Sequence, residues 1–190
     1  MNEHSTQKYR LELIHENHFD QLKQYAFEEE LWQFSTVKVS NESDFKKYFN
    51  QALRMTKQTS QRAYVVYDLI QKKYVGMTRL YAFDSKNKST KLGFTWYAKS
   101  EQGNGINAHC KYLVLHEAFE NLKIERVELN ADSRNVRSLA AMKKIGCVQE
   151  GILRQHVYLP DGYKRDTVIF SVLKSDWEND IKTRLKQLIL

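Results

Sequence analysis

The sequence predicts a single α+β domain, a mixed and mostly antiparallel sheet with helices over its faces. Three observations predict it. The chain of 190 residues is 42% hydrophobic and 12% aromatic, enough to bury one core. Short segments that alternate apolar and polar residues, the signature of half-buried strands, recur along it. Between them, apolar residues return at helical spacing. No repeat, low-complexity stretch or linker interrupts residues 1–190, so one domain is expected throughout.

The elements follow in order. Tyr9 to Ile14 alternates as a short strand, and Asn17 to Glu28 reads as a helix with Phe19, Leu22 and Ala26 on one face. Ser40 to Thr59 is a stronger helix: Phe45, Tyr48, Phe49, Ala52 and Leu53 share a stripe, and Ser40 or Asn41 can cap its start. Ala63 to Ile70, Tyr74 to Phe83 and Leu92 to Tyr97 read as strands joined by turns at Lys72-Lys73 and at Ser85 to Ser89, an antiparallel meander. Asn107 to Leu122 is a helix, Val127 to Ala131 a strand, and Arg137 to Ile145 a helix stopped by Gly146. That order forces one parallel crossover into the sheet. Val148 to Tyr158 and Arg165 to Leu173 form a hairpin about the turn Leu159-Pro160-Asp161-Gly162. Ser175-Asp176-Trp177-Glu178 has a capping-box pattern and opens a last helix with Trp177, Ile181, Leu185 and Leu188 on one side.

Composition limits the function classes. The net charge is +7, spread along the chain without a basic run. It suits an anionic ligand, but no nucleic-acid-binding motif accompanies it, so a nucleic-acid partner is not expected. The two cysteines, Cys110 and Cys147, form no disulfide framework or metal spacing, and no metal is expected. Residues 1–7 are polar, and no apolar run approaches the roughly 18 residues that span a bilayer, so a cytoplasmic protein without a membrane partner is expected.

The informative stretch runs from Leu92 to Asn107. A strand ends, and Ser100-Glu101-Gln102-Gly103-Asn104-Gly105-Ile106-Asn107 leads straight into a helix. Two glycines let the backbone approach a ligand closely, and successive amides can point into one concavity. The helix start adds free N–H groups and the positive end of its dipole. The turn therefore suits a phosphate or another anion; equally, it is a compact route from strand to helix. After the next strand comes Asp132-Ser133-Arg134-Asn135-Val136-Arg137-Ser138, and the helix there closes with Lys144-Ile145-Gly146-Cys147.

Together the two segments resemble the GNAT acyltransferase superfamily. The first is similar to its (Gln/Arg)-x-x-Gly-x-(Gly/Ala) signature for acetyl-CoA, in the tighter form Gln102-Gly103-Asn104-Gly105. The second resembles its Asn-x-x-(Ser/Ala) helix closed by Lys-x-Gly. Glu150-Gly151 and Leu159-Pro160-Asp161-Gly162-Tyr163 through Asp166 are typical of the RimJ/RimL-like branch, and the likeness runs from Tyr9 to Leu173. It implies a splayed sheet with pantetheine between the strands Leu92 to Tyr97 and Val127 to Ala131. Backbone groups near Phe94, Thr95 and Trp96 would bond the pantetheine amides. Gln102, Gly103, Asn104, Gly105, Ile106 and Asn107 would hold the pyrophosphate, and Asn135 the pantetheine arm, with Ser138 near the thioester sulfur.

The resemblance also implies the reaction. Acetyl-CoA is the acetyl donor, and a primary amine takes the acetyl group directly in a ternary complex. The amine is a protein N-terminus, such as that of a ribosomal protein, or a small molecule. Such a reaction needs a group to take the amine's proton and one to stabilise the departing thiolate. Glu150 is the candidate base and Ser138 the candidate at sulfur. Met142 stands where many relatives carry a tyrosine, and a thioether cannot donate a proton. Direct transfer leaves Cys110 and Cys147 without a nucleophilic role. A non-catalytic acyl-CoA-binding regulatory module is the alternative. The last helix can pack on its own core or on a second subunit, so monomer and homodimer both stay open.

Overall fold

The computed structural model describes residues 5–190. Seven strands form one sheet in the order β1-β2-β3-β4-β5-β7-β6. They are β1 Tyr9–Leu13, β2 Gln61–Asp68, β3 Lys73–Asp84, β4 Ser89–Tyr97, β5 Arg126–Asp132, β6 Val148–Tyr158 and β7 Lys164–Leu173. All pairings are antiparallel except β4 with β5, the crossover that the helix between them requires.

The predicted meander of β2, β3 and β4 is present, with strand ends displaced by up to three residues. The helix predicted from Asn17 to Glu28 is shorter. A 3₁₀ turn at Glu16–His18 leads into α1, Phe19–Lys23, and the chain then leaves helical geometry. Trp32 explains the early stop, because its Nε1 donates to the Ala26 carbonyl at 2.8 Å and fixes a turn there. Helix α2, Glu42–Lys57, buries the predicted stripe, and Asn41 is its cap, accepting the Asp44 N–H. Helix α3, Ile106–His116, runs on as a π-helical stretch, Glu117–Asn121. Helix α4, Val136–Lys144, is capped by Asn135 and ends at Gly146, whose φ is +97°. The last helix starts one residue earlier than its pattern suggested. Asp176 accepts the Leu173 N–H and helix α5 begins at Lys174, so Ser175 is not the cap. A π-helical stretch, Trp177–Ile181, joins α5 (Lys174–Asp176) to α6 (Lys182–Ile189).

The sheet separates two cores. On one face α3, α4 and α6 cover Val66, Leu80, Leu92, Val127, Leu129 and Phe170. On the other, α1 and α2 cover Ala63, Val65, Met77 and Trp96. Trp177, Ile181 and Leu185 join the first core, so the C-terminal helix packs on its own chain. Cys147 lies in that core.

Candidate acetyl-donor site

The site is a gap in the sheet. Strands β4 and β5 pair only where Ser89 to Leu92 meet Arg126 to Leu129. Beyond that point Gly93 to Tyr97 belong to β3 alone, and Asn130 to Asp132 to β7 alone. The divergence begins at a bulge. Phe94 has φ +50°, and the register between β3 and β4 slips between Met77 and Arg79. Strands that part in this way leave backbone groups on the two inner edges without a ladder partner, which is where an extended amide-bearing chain can pair.

The loop after β4 closes one end of the gap. Glu101, only 2% exposed, anchors it from below. Its carboxylate accepts the Gln71 Nε2 at 3.0 Å and the Tyr9 hydroxyl at 3.4 Å, and it pairs with Lys73 at 3.4 Å. Above this anchor, Gln102 donates to the Tyr97 carbonyl and Asn104 to the Ser100 carbonyl. Gly103 and Gly105 have φ of +92° and +84°, and a Cβ on either would meet nothing within 4 Å. The N–H groups of Gly103, Gly105, Ile106 and Asn107 have no partner among the described residues. Four free donors at a helix start, with nothing over them, make an anion cradle that fits a pyrophosphate. Ile106 itself is buried and anchors the helix, while Asn107 accepts the Tyr97 hydroxyl at 3.4 Å.

Helix α4 faces the loop from the other strand. Arg137 donates to Gln102 Oε1 at 2.6 Å, joining the two sequence motifs. Asn135 Oδ1 accepts the Ser138 N–H at 3.0 Å, so Asn135 does serve as the helix cap. The Ser138 side chain is partly exposed, and its hydroxyl makes no hydrogen bond among the described residues. Met142, one turn on, is buried in the core with Ile145. On the β4 side Thr95 bonds Thr78 through its hydroxyl at 2.7 Å, and the Trp96 ring lies in the α2-side core. Both side chains are thus structural, and the Phe94 carbonyl accepts the Tyr48 hydroxyl at 3.5 Å.

Glu150 is committed to an ion pair on β6. It sits where β6 bulges against β7, and its carboxylate accepts both ends of the Arg126 guanidinium, at 2.6 and 2.5 Å. Ser171 adds a third bond at 2.7 Å. Arg126 pairs in register with Ser89, on the closed side of the split. Those hydrogen bonds, Arg126 foremost, hold the Glu150 pKa down at about 2, which makes it a weak proton acceptor. The strand-end position was legible in sequence; the arginine opposite was not, because it comes from another strand. The cysteines are buried, and burial pushes Cys110 up to about 12 and Cys147 to about 11, values unsuited to nucleophiles.

Sequence reasoning passed over two arginines on the α2 side of the gap. Arg79 is 1% exposed, with its guanidinium between the rings of Tyr48 at 4.2 Å and Phe94 at 4.6 Å. Arg165 is 7% exposed and bonds Asn130 Oδ1, the Phe34 carbonyl and Thr167. Neither lies in a recognisable motif. Their one sequence signal is a charge on the inward face of a strand that otherwise alternates toward a core.

Comparisons with known proteins agree with this geometry. The family model described as an acetyltransferase (GNAT) domain matches residues 8–148. YdaF of Bacillus subtilis (strain 168), which carries the name of a ribosomal N-acetyltransferase, is 37% identical over 106 residues, 55% of this chain and 56% of that protein. The chain thus matches about half the length of that curated relative. A GCN5-related N-acetyltransferase structure from Brucella melitensis superposes with a TM-score of 0.88 at 22% identity, over 98% of this chain and 84% of that one. Mycobacterium smegmatis RimJ, in a complex with CoA-disulfide, superposes with a TM-score of 0.81 at 16% identity, over 94% of this chain and 88% of that one. The last two establish the shared fold, and the matched domain, which spans more than half of the chain, identifies it as a member of the GNAT acetyltransferase family.

Proposed function

We propose that the protein transfers the acetyl group of acetyl-CoA to a primary amine by direct attack in a ternary complex. One observation carries the reading: the Gly103 to Asn107 turn, with four N–H groups unpartnered among the described residues, follows β4 at the end where that strand no longer pairs with β5. The turn would bind the pyrophosphate, and the free edges of β4 and β5 the pantetheine amides. Asn135 lies beside that path. Ser138 offers a hydroxyl that can hydrogen-bond the sulfur as negative charge develops on it. Full proton transfer is unnecessary, because a thiol with a pKa near about 8.5 is a tolerable leaving group. The amine would approach from the α2 side of the sheet. Its proton passes to water there while Glu150 stays tied to Arg126. The buried thiols of Cys110 and Cys147 have no part in the chemistry.

The name of YdaF supports a protein N-terminus as one acceptor class, and a small-molecule amine is the other. A non-catalytic acyl-CoA-binding module is the second reading, favoured by the ion-paired state of the one carboxylate proposed as base. Calorimetry with acetyl-CoA, followed by thiol release with an amine panel, decides between them. Binding with amine-dependent thiol release supports the enzyme; binding without release for any amine leaves the module.

A further inference from the structure

On the α2-facing side of the sheet, the charges do not cancel. Asp132 is saturated by Arg134, through bonds from the backbone N–H, Nε at 3.1 Å and the terminal nitrogen at 2.8 Å. Glu128 pairs with Lys91 at 2.8 Å, and Glu150 with Arg126. Asp132, Glu128 and Glu150 are thus each ion-paired with another cation, although the charge of Asp132 also reaches Arg165. Neither Arg79 nor Arg165 makes an ion pair among the described residues. The acceptors of Arg165 are all neutral: an amide oxygen, a carbonyl and a hydroxyl. Among the described residues Arg79 has one long bond, to the Tyr48 carbonyl at 3.5 Å, and its buried Nε has no partner. Trp96 Nε1, on the same face, is a second buried donor without an acceptor among the described residues.

These residues form one continuous wall. Arg79 lies on Phe94, Phe94 meets Tyr81 edge-on at 5.0 Å, Tyr81 bonds Asn130, and Asn130 holds Arg165. Arg79 pairs across the sheet with Gly93, the last residue before the bulge, so the wall stands where β4 leaves β5. A buried cation without a counter-ion is costly, and an orphaned donor adds to the cost. Both costs fall when an anion with oxygen acceptors arrives.

We infer that the acceptor carries a carboxylate close to its reactive amine, and that Arg165, supported by the field of Arg79, recognises that carboxylate on the α2 side of the gap. This rests on the proposed acetyl transfer and assigns its acceptor class. The same two charges disfavour a polycation, because a second ammonium would be placed against guanidinium groups. An amino acid and an N-terminus followed by an acidic residue share the required chemistry.

The test uses thiol release from acetyl-CoA with acceptors in matched pairs: amino acids with their amides, and peptides with Glu or Gln at the second position, with spermidine as the polycation. The carboxylate member of a pair is expected to show a kcat/KM higher by about tenfold or more, the size of a charge-assisted hydrogen bond. A preference in the amino-acid pairs names the free amino acid as acceptor; one in the peptide pairs names the acidic N-terminus. In Arg165→Gln the preference collapses through KM, with acetyl-CoA affinity by calorimetry unchanged, and Arg165→Lys restores part of it. Arg79→Met weakens the preference in the same direction; if that variant does not fold, Arg165→Gln carries the test alone. Equal use of both members, spermidine as the best acceptor, or a preference that survives Arg165→Gln overturns the inference and leaves acetyl transfer standing. Absence of thiol release with every amine overturns the transferase reading and this one with it.

Discussion

Glu150 and Lys111 show how single side chains take their chemistry from neighbours distant in sequence. Glu150 is held by Arg126, from another strand, and by Ser171, so its charge is committed before any substrate arrives. A general base contributes on the order of a hundredfold or more. Glu150→Gln is therefore expected to change kcat by less than about threefold, whereas Ser138→Ala should lower kcat by roughly tenfold with acetyl-CoA binding intact, the two being compared by steady-state kinetics. A hundredfold loss in Glu150→Gln would make the glutamate the base after all. Lys111 is 7% exposed in the α3-side core, and burial lowers its pKa from 10.5 to about 8. At pH below about 8 both the folded and the unfolded chain carry this charge, and the folded state bears its full desolvation cost. Between 8 and 10.5 the folded lysine is neutral while the unfolded one still binds a proton, so its contribution to stability rises with pH. Lys111→Met should thus be more stable than wild type at pH 7, by an advantage that shrinks as pH climbs past 8. Urea unfolding at pH 7, 8 and 9 checks this, and the comparison cancels the opposing effect of Cys110 and Cys147, whose raised pKa values act in both proteins. A methionine variant no more stable than wild type at pH 7 would refute it.

Among the elements, the turn into α3 makes the sharpest claim. Gly105 has φ +84° with open space around an added Cβ, so a larger residue meets no protein atom but cannot easily hold that backbone. Gly105→Val should cost about 1–2 kcal/mol of stability from left-handed strain. It should also lower acetyl-CoA affinity by about tenfold or more, because the free amides turn away. Gly162 supplies the control. Its φ is +85°, it too has open space, and it lies in the β6–β7 turn. Gly162→Val should lose similar stability and keep its affinity for acetyl-CoA by calorimetry; equal losses of affinity in both variants would mean the turn has no special role. The same contrast shows what a sequence carries. The Gly103 and Gly105 turn, the Asn41 cap and the Gly146 stop were legible because each is a local backbone requirement expressed in one or two residues. The early end of α1 was not, since a tryptophan six residues beyond Ala26 sets it. The split itself depends on where β4 stops pairing with β5, strands joined through a whole helix, and only the family likeness pointed to it. Arg79 and Arg165 were missed for the same reason: each is an ordinary charge until the sheet buries it outside any ion pair of the described residues.

Over the whole molecule, the two cores meet the gap from opposite sides, and the C-terminal helix completes one of them. Trp177 is fully buried and stacks on Phe119 at 5.8 Å. Its Nε1 donates to Glu120, which Lys182 also holds at 2.6 Å. Ile181 packs against the end of α4, where a Cβ on Gly146 would come within 3.1 Å of it. The helix therefore joins the far ends of α3 and α4, the two helices whose near ends carry Ile106 and Asn135. Helix α3 has 11 residues, so its N-terminus lies roughly 16 Å from its C-terminus. Stability and ligand binding should separate over that distance. Trp177→Ala is expected to cost about 3–5 kcal/mol, the price of deleting a buried tryptophan. Acetyl-CoA should still stabilise the variant by the same increment as wild type, since that increment depends only on ligand concentration and affinity. Urea unfolding with and without saturating acetyl-CoA measures both quantities. If the helix instead served to join two subunits, Trp177→Ala would leave the folded monomer's stability nearly unchanged and alter the sedimenting mass. Because Trp177 and Leu185 are both wholly buried within the single chain, the expected result is a large loss of stability at constant mass. A loss of the acetyl-CoA increment in a folded variant would instead show that the C-terminal helix sets the geometry of the gap.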